Sequence, residues 1–199
     1  MLFPAFCVYC RDFIPGRSTF CSKCFKMILP VPSTQFCFNG YTIHISAVSA
    51  YKEPLKSLVL AKKYSNILAA KQLGKLVREV ITKEFDYLVP IPLHWLRFAR
   101  RGFNQTEVMA YAIAEDKVAL LLKRKKRTAF QSTLSSDQRR ENVKYAFVLD
   151  DIDVNKYKNK NLMLVDDLFT TGSTVKAAIE ALMKLEPASI NVAVACRVV

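Results

Sequence analysis

The segment that most constrains the fold runs from Asn161 to Leu182 and reads NLMLVDDLFTTGSTVKAAIEAL. It begins with an apolar run, residues 162–165, whose length and composition are typical of a strand buried on both faces of a parallel sheet. Two acids, Asp166 and Asp167, follow this run directly. The segment therefore predicts an α/β fold in which paired carboxylates leave the carboxyl end of a buried strand, where open α/β sheets bind ligands.

A short polar loop follows the acids and leads into a predicted helix. Its members are Thr170, Thr171, Gly172, Ser173 and Thr174. Glycine lets the backbone approach a ligand closely, and the first amides of a helix lack partners within the helix, so the loop suits a phosphate group. The carboxylates require a different partner, such as ribose hydroxyls or Mg2+.

Two other interpretations of this segment are considered. An ordinary buried strand that ends in an acidic turn would have no ligand. A phospho-receiver domain also has a strand that ends in paired aspartates, but it needs most of its sheet after that pair. Here one helix and one strand, Ser189–Val198, follow the pair, and we therefore expect a ligand site of a different class.

Composition favours a soluble enzyme of modest size. The 199 residues allow one full domain and a small appendage, and 51% of them are hydrophobic, which is ample for a core. No run approaches the roughly 18 uninterrupted apolar residues of a membrane helix, and the first residues lack the pattern of a signal peptide. We therefore expect a cytoplasmic protein. His44 and His94 are too isolated for a metal site built on imidazole.

The N-terminal cysteines have the spacing of a metal site. Four of the six cysteines form two C-x-x-C knuckles, Cys7 with Cys10 and Cys21 with Cys24. Four thiolates close a tetrahedral structural Zn2+ site, and so short a segment cannot bury enough apolar surface to fold alone. Two disulfides and two redox-active pairs are the alternatives. A reducing compartment disfavours the first, and redox pairs do not usually occur twice in so short a segment.

A second strand–loop–helix block extends from Asp86 to Glu115. The pattern predicts a strand over Tyr87–Ile91, a loop over Pro92–Gly102 and a helix over Asn104–Glu115. The loop contains three arginines, Arg97, Arg100 and Arg101. Guanidinium groups can neutralise a pyrophosphate, although loop arginines are more often merely solvated. Because strand–loop–helix units place their loops at one edge of a parallel sheet, the sequence predicts a second anion site beside the first.

The remaining segments are less informative. Ile28–Asn39 contains Pro30 and Pro32 and is predicted to be a linker. Tyr41–Tyr51 alternates weakly, like an edge strand or a hairpin, and helical runs follow from Leu55 to Lys63 and from Leu68 to Val80. We expect these helices to pack at one sheet edge and to connect the cysteine segment to the rest of the chain.

These motifs resemble those of the phosphoribosyltransferases. The signature of that family for its donor, 5-phosphoribosyl 1-pyrophosphate (PRPP), is an apolar strand, an acidic pair, two small residues and T-T-G-x-T, and here it reads VDDLFTTGST. The motifs VPIP and RRGFNQ, with Gln131 to Leu134, Arg139 to Asn142 and Ala146-Phe147 downstream, narrow the resemblance to the ComF family. Its members are competence-associated phosphoribosyltransferase-like proteins with an amino-terminal zinc ribbon. The likeness spans nearly the whole chain.

The resemblance implies an α/β fold with a type I phosphoribosyltransferase-like parallel sheet flanked by helices and a small N-terminal zinc ribbon with four cysteine ligands. It implies a ribbon and linker over residues 1–40, a connecting strand or hairpin with helices over 41–84, and a phosphoribosyltransferase-like domain over 85–199. This chain departs from the family at Ser65-Asn66, where glycine is usual, and at Phe169, which replaces a smaller apolar residue.

The resemblance also implies residue roles. Asp166 and Asp167 would hold the ribose hydroxyls and act as the catalytic carboxylates, and the loop Thr170–Thr174 would wrap the 5-phosphate. Residues facing the pyrophosphate, with Mg2+, would be Arg97, Arg101, Gly102, Asn104 and Gln105. A mobile hood over the site would include Gln131, Arg139 and Asn142. No residue is an obvious general base for an acceptor nucleophile.

Net charge gives a second functional indication. The chain has 30 Lys and Arg against 17 Asp and Glu, a formal charge of +13. Part of it lies in the run Lys123, Arg124, Lys125, Lys126 and Arg127. Such a run, with Trp95, Phe98 and Phe103 nearby, can hold single-stranded nucleic acid through phosphate contacts and stacking. Solvated basic runs are common, however, and a pyrophosphate ligand already calls for positive charge.

Two functional hypotheses remain open. ComF-like proteins act in bringing transforming DNA into the cytoplasm. The resemblance therefore implies single-stranded DNA and the inner-membrane DNA-uptake machinery as partners, and a cytoplasmic position near that membrane. The favoured hypothesis is a DNA-handling protein that binds PRPP and Mg2+ without turnover. The alternative is an active phosphoribosyltransferase with an unknown acceptor.

Overall fold

A computed structural model describes residues 6–14, 18–61, 67–93, 98–99, 102–124 and 146–198. Its strands are β1 (Thr34–Phe38), β2 (Tyr41–Ala50), β3 (Tyr87–Pro90), β4 (Leu122–Arg124), β5 (Phe147–Leu149), β6 (Asn161–Phe169) and β7 (Ser189–Arg197). Its α-helices are α1 (Ser22–Lys26), α2 (Leu55–Ala61), α3 (Ile67–Arg78), α4 (Gln105–Ile113) and α5 (Ser173–Leu182).

Five strands form the main sheet, in the order β1-β2-β7-β6-β3. The pairs β2–β7, β7–β6 and β6–β3 are parallel, and the edge strand β1 is antiparallel to its neighbour. The short strands β4 and β5 form a separate antiparallel pair. The α/β fold predicted from the sequence is confirmed, because strand–helix–strand crossovers produce this parallel arrangement.

The central strand β6 is buried on both faces, as its continuous apolar run predicts. Leu162 and Leu164 lie in a core with α5 on one face, and Met163 and Val165 lie in a second core with α3 and α4 on the other. Helices therefore cover both faces of the sheet. The helices α2 and α3 pack against a face of the sheet, not against its edge as predicted.

The N-terminal hairpin corrects two predictions. The segment Ile28–Asn39, predicted to be a linker, contains strand β1, and Tyr41–Ala50 is an inner strand rather than an edge strand. Asn39 and Gly40 both have positive φ, 46° and 84°, as a tight hairpin turn requires. Residues 41–84, predicted to be a connecting strand or hairpin with helices, contain β2, α2 and α3, and β2 is part of the main sheet.

The helices α3 and α4 approach each other most closely at Gly74. A Cβ there would lie 2.5 Å from the Met109 carbonyl oxygen and 2.8 Å from the Ala112 Cβ. Glycine is therefore required by the helix–helix distance. Among the helices in the described ranges, none has both the length and the apolar character that crossing a membrane demands.

Candidate functional site

The paired acids lie where β6 passes the end of β3. Pro90 is the register partner of Val165, and the Ile91 amide donates a hydrogen bond to the Val165 carbonyl at 3.0 Å. Asp166 and Asp167 follow at once, and both are half-buried. The Asp167 amide donates to Asp166 Oδ1 at 2.8 Å. The acids thus lie at the carboxyl edge of the sheet beside the end of β3, but they are inside β6, which continues to Phe169, and do not follow the end of the strand as predicted.

The loop Thr170–Thr174 turns from β6 into α5 through a left-handed glycine. Gly172 has φ 75°, and its carbonyl accepts the first bond of the helix from the Lys176 amide at 2.8 Å. Within the described residues, no side chain caps this helix at Gly172. Thr171 Oγ1 and Ser173 Oγ lie 2.8 Å apart. The loop therefore presents backbone amides and hydroxyls together, which suits a phosphate group.

Phe169 supports this loop from within. A Cβ at Gly172 would lie 2.9 Å from Phe169 Cζ and 3.2 Å from Cε2, so the ring lies directly against the glycine. The Phe169 carbonyl also accepts a hydrogen bond from the Val198 amide at 2.9 Å. The loop thus rests on a side chain that is anchored in β6 and packed against the core.

The second predicted anion site begins at the same edge. Thr106 Oγ1 donates to the Ile91 carbonyl at 2.6 Å, and Asn104 Nδ2 donates to the same oxygen at 3.4 Å. These bonds attach the start of α4 to the end of β3, one residue beyond the register partner of Val165. The strand–loop–helix unit therefore brings Asn104 to the same edge as the acids of β6.

Two described residues of this second unit bear on ligand binding. Gly102 has φ 77°, and among the described residues no atom would lie within 4 Å of a Cβ there. Gln105 is only 2% exposed, yet within the described residues its Nε2 has no hydrogen-bond partner. An unsatisfied buried donor requires an explanation, and the oxygen of a bound pyrophosphate would supply one. The described residues of this loop are therefore compatible with a bound anion.

Several predicted site residues lie outside the described residues: Arg97, Arg101, Lys125, Lys126, Arg127, Gln131, Arg139 and Asn142. Lys123 and Arg124 lie on β4, and both contact groups in the same chain. The Lys123 ammonium pairs with Asp150 and holds the pKa of that carboxyl below its usual range, while Arg124 lies 5.4 Å from the centre of the Phe147 ring. The predicted basic run is thus partly engaged within the protein.

The four N-terminal cysteines converge as the knuckle spacing predicts. The Sγ atoms of Cys7, Cys10, Cys21 and Cys24 all lie within 4.8 Å of one another. Cys10 Sγ and Cys21 Sγ are 3.7 Å apart, close to the distance of about 3.8 Å that a tetrahedral Zn2+ with Zn–S bonds of about 2.3 Å imposes on its thiolates. The cluster therefore fits a metal ion of this kind.

The surroundings of the cluster favour ionised sulfur on one cysteine. Burial acts to raise the pKa of the Cys7 thiol, but backbone N–H groups of Cys21, Cys10 and Tyr9 outweigh it and lower the pKa to about 6. Burial raises the pKa of Cys24. The Cys24 amide donates to Cys21 Sγ at 3.4 Å, which fixes the second knuckle at the start of α1.

Polar groups at the opposite, amino edge of the sheet were not predicted from the sequence. Two open cavities of about 390 and 330 Å³ share Glu84 and Asn161 there. Buried Asn191 accepts from the His44 amide at 3.4 Å, and Ser189 Oγ donates to Asn161 Oδ1 at 2.8 Å. These polar residues come from β2, β6, β7 and the segment before β3, so no single local motif indicates them.

The sheet order and the two loops at its carboxyl edge define a phosphoribosyltransferase-type domain. A family model described as phosphoribosyl transferase domain matches residues 56–198. Competence protein F of Haemophilus influenzae is 29% identical, with 94% of each chain covered. The DNA utilization protein YhgH of Salmonella typhi is 31% identical over 76% of this chain and 70% of the relative. Competence protein ComFC of Streptococcus pneumoniae is 28% identical over 78% of this chain and 70% of the relative.

The chain therefore belongs to the ComF family of phosphoribosyltransferase-like proteins.

Proposed function

We propose that this protein binds PRPP with Mg2+ at the carboxyl edge of its sheet and handles single-stranded DNA in natural transformation. The observation that supports donor binding most directly is the convergence of three features on that edge. These are the two acids of β6 beyond the end of β3, the left-handed glycine loop before α5, and the buried Gln105 amide without a partner in the described residues.

Each part of the donor has a chemically matched group. The amides and hydroxyls of Thr170–Thr174 would hold the 5-phosphate, and the carboxylates of Asp166 and Asp167 would accept hydrogen bonds from the ribose hydroxyls. Gln105 Nε2 and the exposed backbone of Gly102 would face the pyrophosphate. When bound, Mg2+ would neutralise charge on the pyrophosphate oxygens. Arg97, Arg101 and the hood residues Gln131, Arg139 and Asn142 stay predictions, because they lie outside the described residues.

The cysteine cluster is proposed to hold a structural Zn2+. Few large side chains are buried among the described residues of the module 6–29, and two of these, Ile14 and Phe20, join the core of α2 and α3 beside Cys7 and Cys24. A metal with four thiolate ligands has no open position for catalysis, so its contribution would be to fold the module and fix it against those helices.

The DNA-handling role is supported by charge and by the relatives. A net charge of +13 attracts polyanions. The relatives are named as competence proteins and as DNA utilization proteins. We therefore propose single-stranded DNA and the inner-membrane uptake machinery as partners, and a cytoplasmic position near that membrane.

An active phosphoribosyltransferase with an unknown acceptor is the second candidate. The same edge would stabilise both charges that develop as pyrophosphate leaves: the carboxylates of Asp166 and Asp167 would face the positive ribose, and the α4 loop would face the negative leaving group. What supports this candidate is that the donor groups of both loops are present in one site.

One experiment separates the two candidates. The purified protein is incubated with labelled PRPP, Mg2+, candidate bases and single-stranded DNA, and pyrophosphate release is followed. Binding without release, together with DNA affinity that falls steeply with salt, is the expected result. Steady release with one acceptor would favour the transferase instead.

The matched control is a second pair of adjacent acids. Glu115 and Asp116 follow the C-terminal end of α4, away from the carboxyl edge of the sheet. The variant Glu115→Gln with Asp116→Asn should bind PRPP as the wild type does, whereas Asp166→Asn with Asp167→Asn should not.

A further inference from the structure

The cysteine module exposes an unusual number of apolar side chains. Thirteen large hydrophobic side chains are exposed in the described part of the chain, and six of them lie between residues 6 and 29. They are Phe6, Tyr9, Phe13, Phe25, Met27 and Leu29. A soluble surface seldom concentrates so much apolar area without an interaction to make. We call the four aromatic members, Phe6, Tyr9, Phe13 and Phe25, the aromatic face.

The aromatic face is held by a fixed backbone. Phe6 and Phe13 form an antiparallel bridge, and their rings pack edge to face with centroids 6.2 Å apart. Between them, the Cys7 amide donates to the Asp12 carbonyl at 2.8 Å and the Arg11 amide to the Cys7 carbonyl at 3.0 Å. The rings of Phe6 and Phe13 are thus held on either side of the first knuckle, Cys7 with Cys10.

Inward-facing residues of the module show that the aromatic face is not a core left uncovered. Ile14 and Phe20 are buried in the core shared with α2 and α3, as are Cys7 and Cys24. Phe13, by contrast, is 68% exposed and Phe25 is 54% exposed. The module is therefore fixed to the domain by its buried residues, while the rings of Phe13 and Phe25 are exposed to solvent.

Positive charge accompanies the exposed rings. Arg11, Lys23 and Lys26 are all exposed, the two lysines in the last turn of α1. Asp12, the acid of this segment, accepts a hydrogen bond from the Cys10 thiol at 3.2 Å. Rings that offer a π-face beside cations match single-stranded nucleic acid, in which each unpaired base can stack and each linkage has a phosphate.

We infer that the aromatic face stacks the bases of single-stranded DNA while Arg11, Lys23 and Lys26 contact its phosphates. The inference rests on the proposed DNA-handling function and gives that function a location. It differs from the predicted basic run, in which Lys123 and Arg124 already contact Asp150 and Phe147.

The test measures the affinity of the full-length protein for a labelled oligothymidine by fluorescence anisotropy at fixed salt. Phe13→Ser with Phe25→Ser should weaken binding by about 30-fold or more, because stacking contributes about 1–3 kcal/mol per base and about 1.4 kcal/mol is tenfold. The control, Tyr111→Ser with Leu120→Ser, removes side chains of similar exposure, 44% and 49%, from elsewhere on the protein. It should leave the affinity unchanged.

A conservative series distinguishes stacking from apolar contact. Phe13→Trp should keep the affinity within about 3-fold and should show fluorescence quenching on DNA addition, since an indole stacks as a phenyl ring does. Phe13→Leu keeps apolar area but has no π-face, and it should bind more weakly. Equal metal content and equal far-UV circular dichroism across the variants show that each one folds.

The outcomes separate this inference from the function on which it rests. A wild-type protein without DNA affinity would contradict the proposed function itself. Wild-type binding that the Phe13 and Phe25 variant retains in full would overturn this inference alone. The variant could also lose binding to anionic lipid vesicles while its DNA affinity is unchanged. That result would show that the aromatic face contacts a membrane surface, and it would overturn this inference as well.

Discussion

The contact between Phe169 and Gly172 allows a quantitative prediction for Gly172→Ala. The new residue would have to adopt φ 75°, a left-handed conformation that costs a non-glycine residue about 1–2 kcal/mol. Its Cβ would also lie 2.9 Å from Phe169 Cζ, so the ring must shift within its packing, at about 1–3 kcal/mol. We expect the free energy of unfolding to fall by about 2–5 kcal/mol in total.

Urea denaturation of four proteins separates the two terms: wild type, Gly172→Ala, Phe169→Leu and the double variant. Leucine lacks the distal ring atoms. In the Phe169→Leu background, Gly172→Ala should therefore lower the free energy of unfolding only by the cost of the left-handed conformation, about 1–2 kcal/mol. Gly102→Ala is the matched control, because Gly102 has φ 77° but no described atom would lie within 4 Å of its Cβ. Either of two results would refute this reasoning. Gly172→Ala could destabilise the protein no more than Gly102→Ala does, or it could be as destabilising in the Phe169→Leu background as in the wild type.

Two further predictions concern packing and metal. Gly74→Ala should lower the free energy of unfolding by about 1–3 kcal/mol, because its methyl group would lie 2.5 Å from the Met109 carbonyl oxygen and force α3 and α4 apart. An unchanged midpoint of urea denaturation would contradict this close packing of the two helices. Cys7→Ser with Cys10→Ser should release the metal and unfold the module of residues 6–29, as measured by zinc content and proteolysis. A variant that keeps one zinc per chain would show that the four-thiolate site is wrong.

Local pattern was sufficient to predict the elements that surround the proposed donor site. The apolar run of β6 can be buried on both faces only in a covered parallel sheet, and the stripe of α5 is buried as its helical spacing requires. The paired knuckles also predicted the cysteine cluster, because the chemistry of a metal ion imposes that spacing. In each case one short segment contains the whole physical constraint.

Features that depend on distant segments could not be predicted in this way. Strand β1 is short and half-exposed, so its pairing with β2 is fixed by the Asn39-Gly40 turn more than by its own hydrophobicity. The ion pair of Lys123 with Asp150 joins β4 to the residue after β5, and the sequence does not reveal that these two strands pair. Burial of the Gln105 amide likewise results from how α4 packs against the sheet. The hydrophobic periodicity of a helix does not reveal whether a buried side-chain donor such as Gln105 Nε2 has a hydrogen-bond partner among the described residues.

The most direct test of the account is calorimetric titration of PRPP into the protein with Mg2+. Wild type should bind, and Asp166→Asn with Asp167→Asn should bind at least about 100-fold more weakly, because each lost charge-assisted hydrogen bond contributes about 1.5–3 kcal/mol. Thermal unfolding of the variant should stay close to that of the wild type. A variant that binds PRPP as tightly as the wild type would contradict the assignment of the donor site to this edge of the sheet.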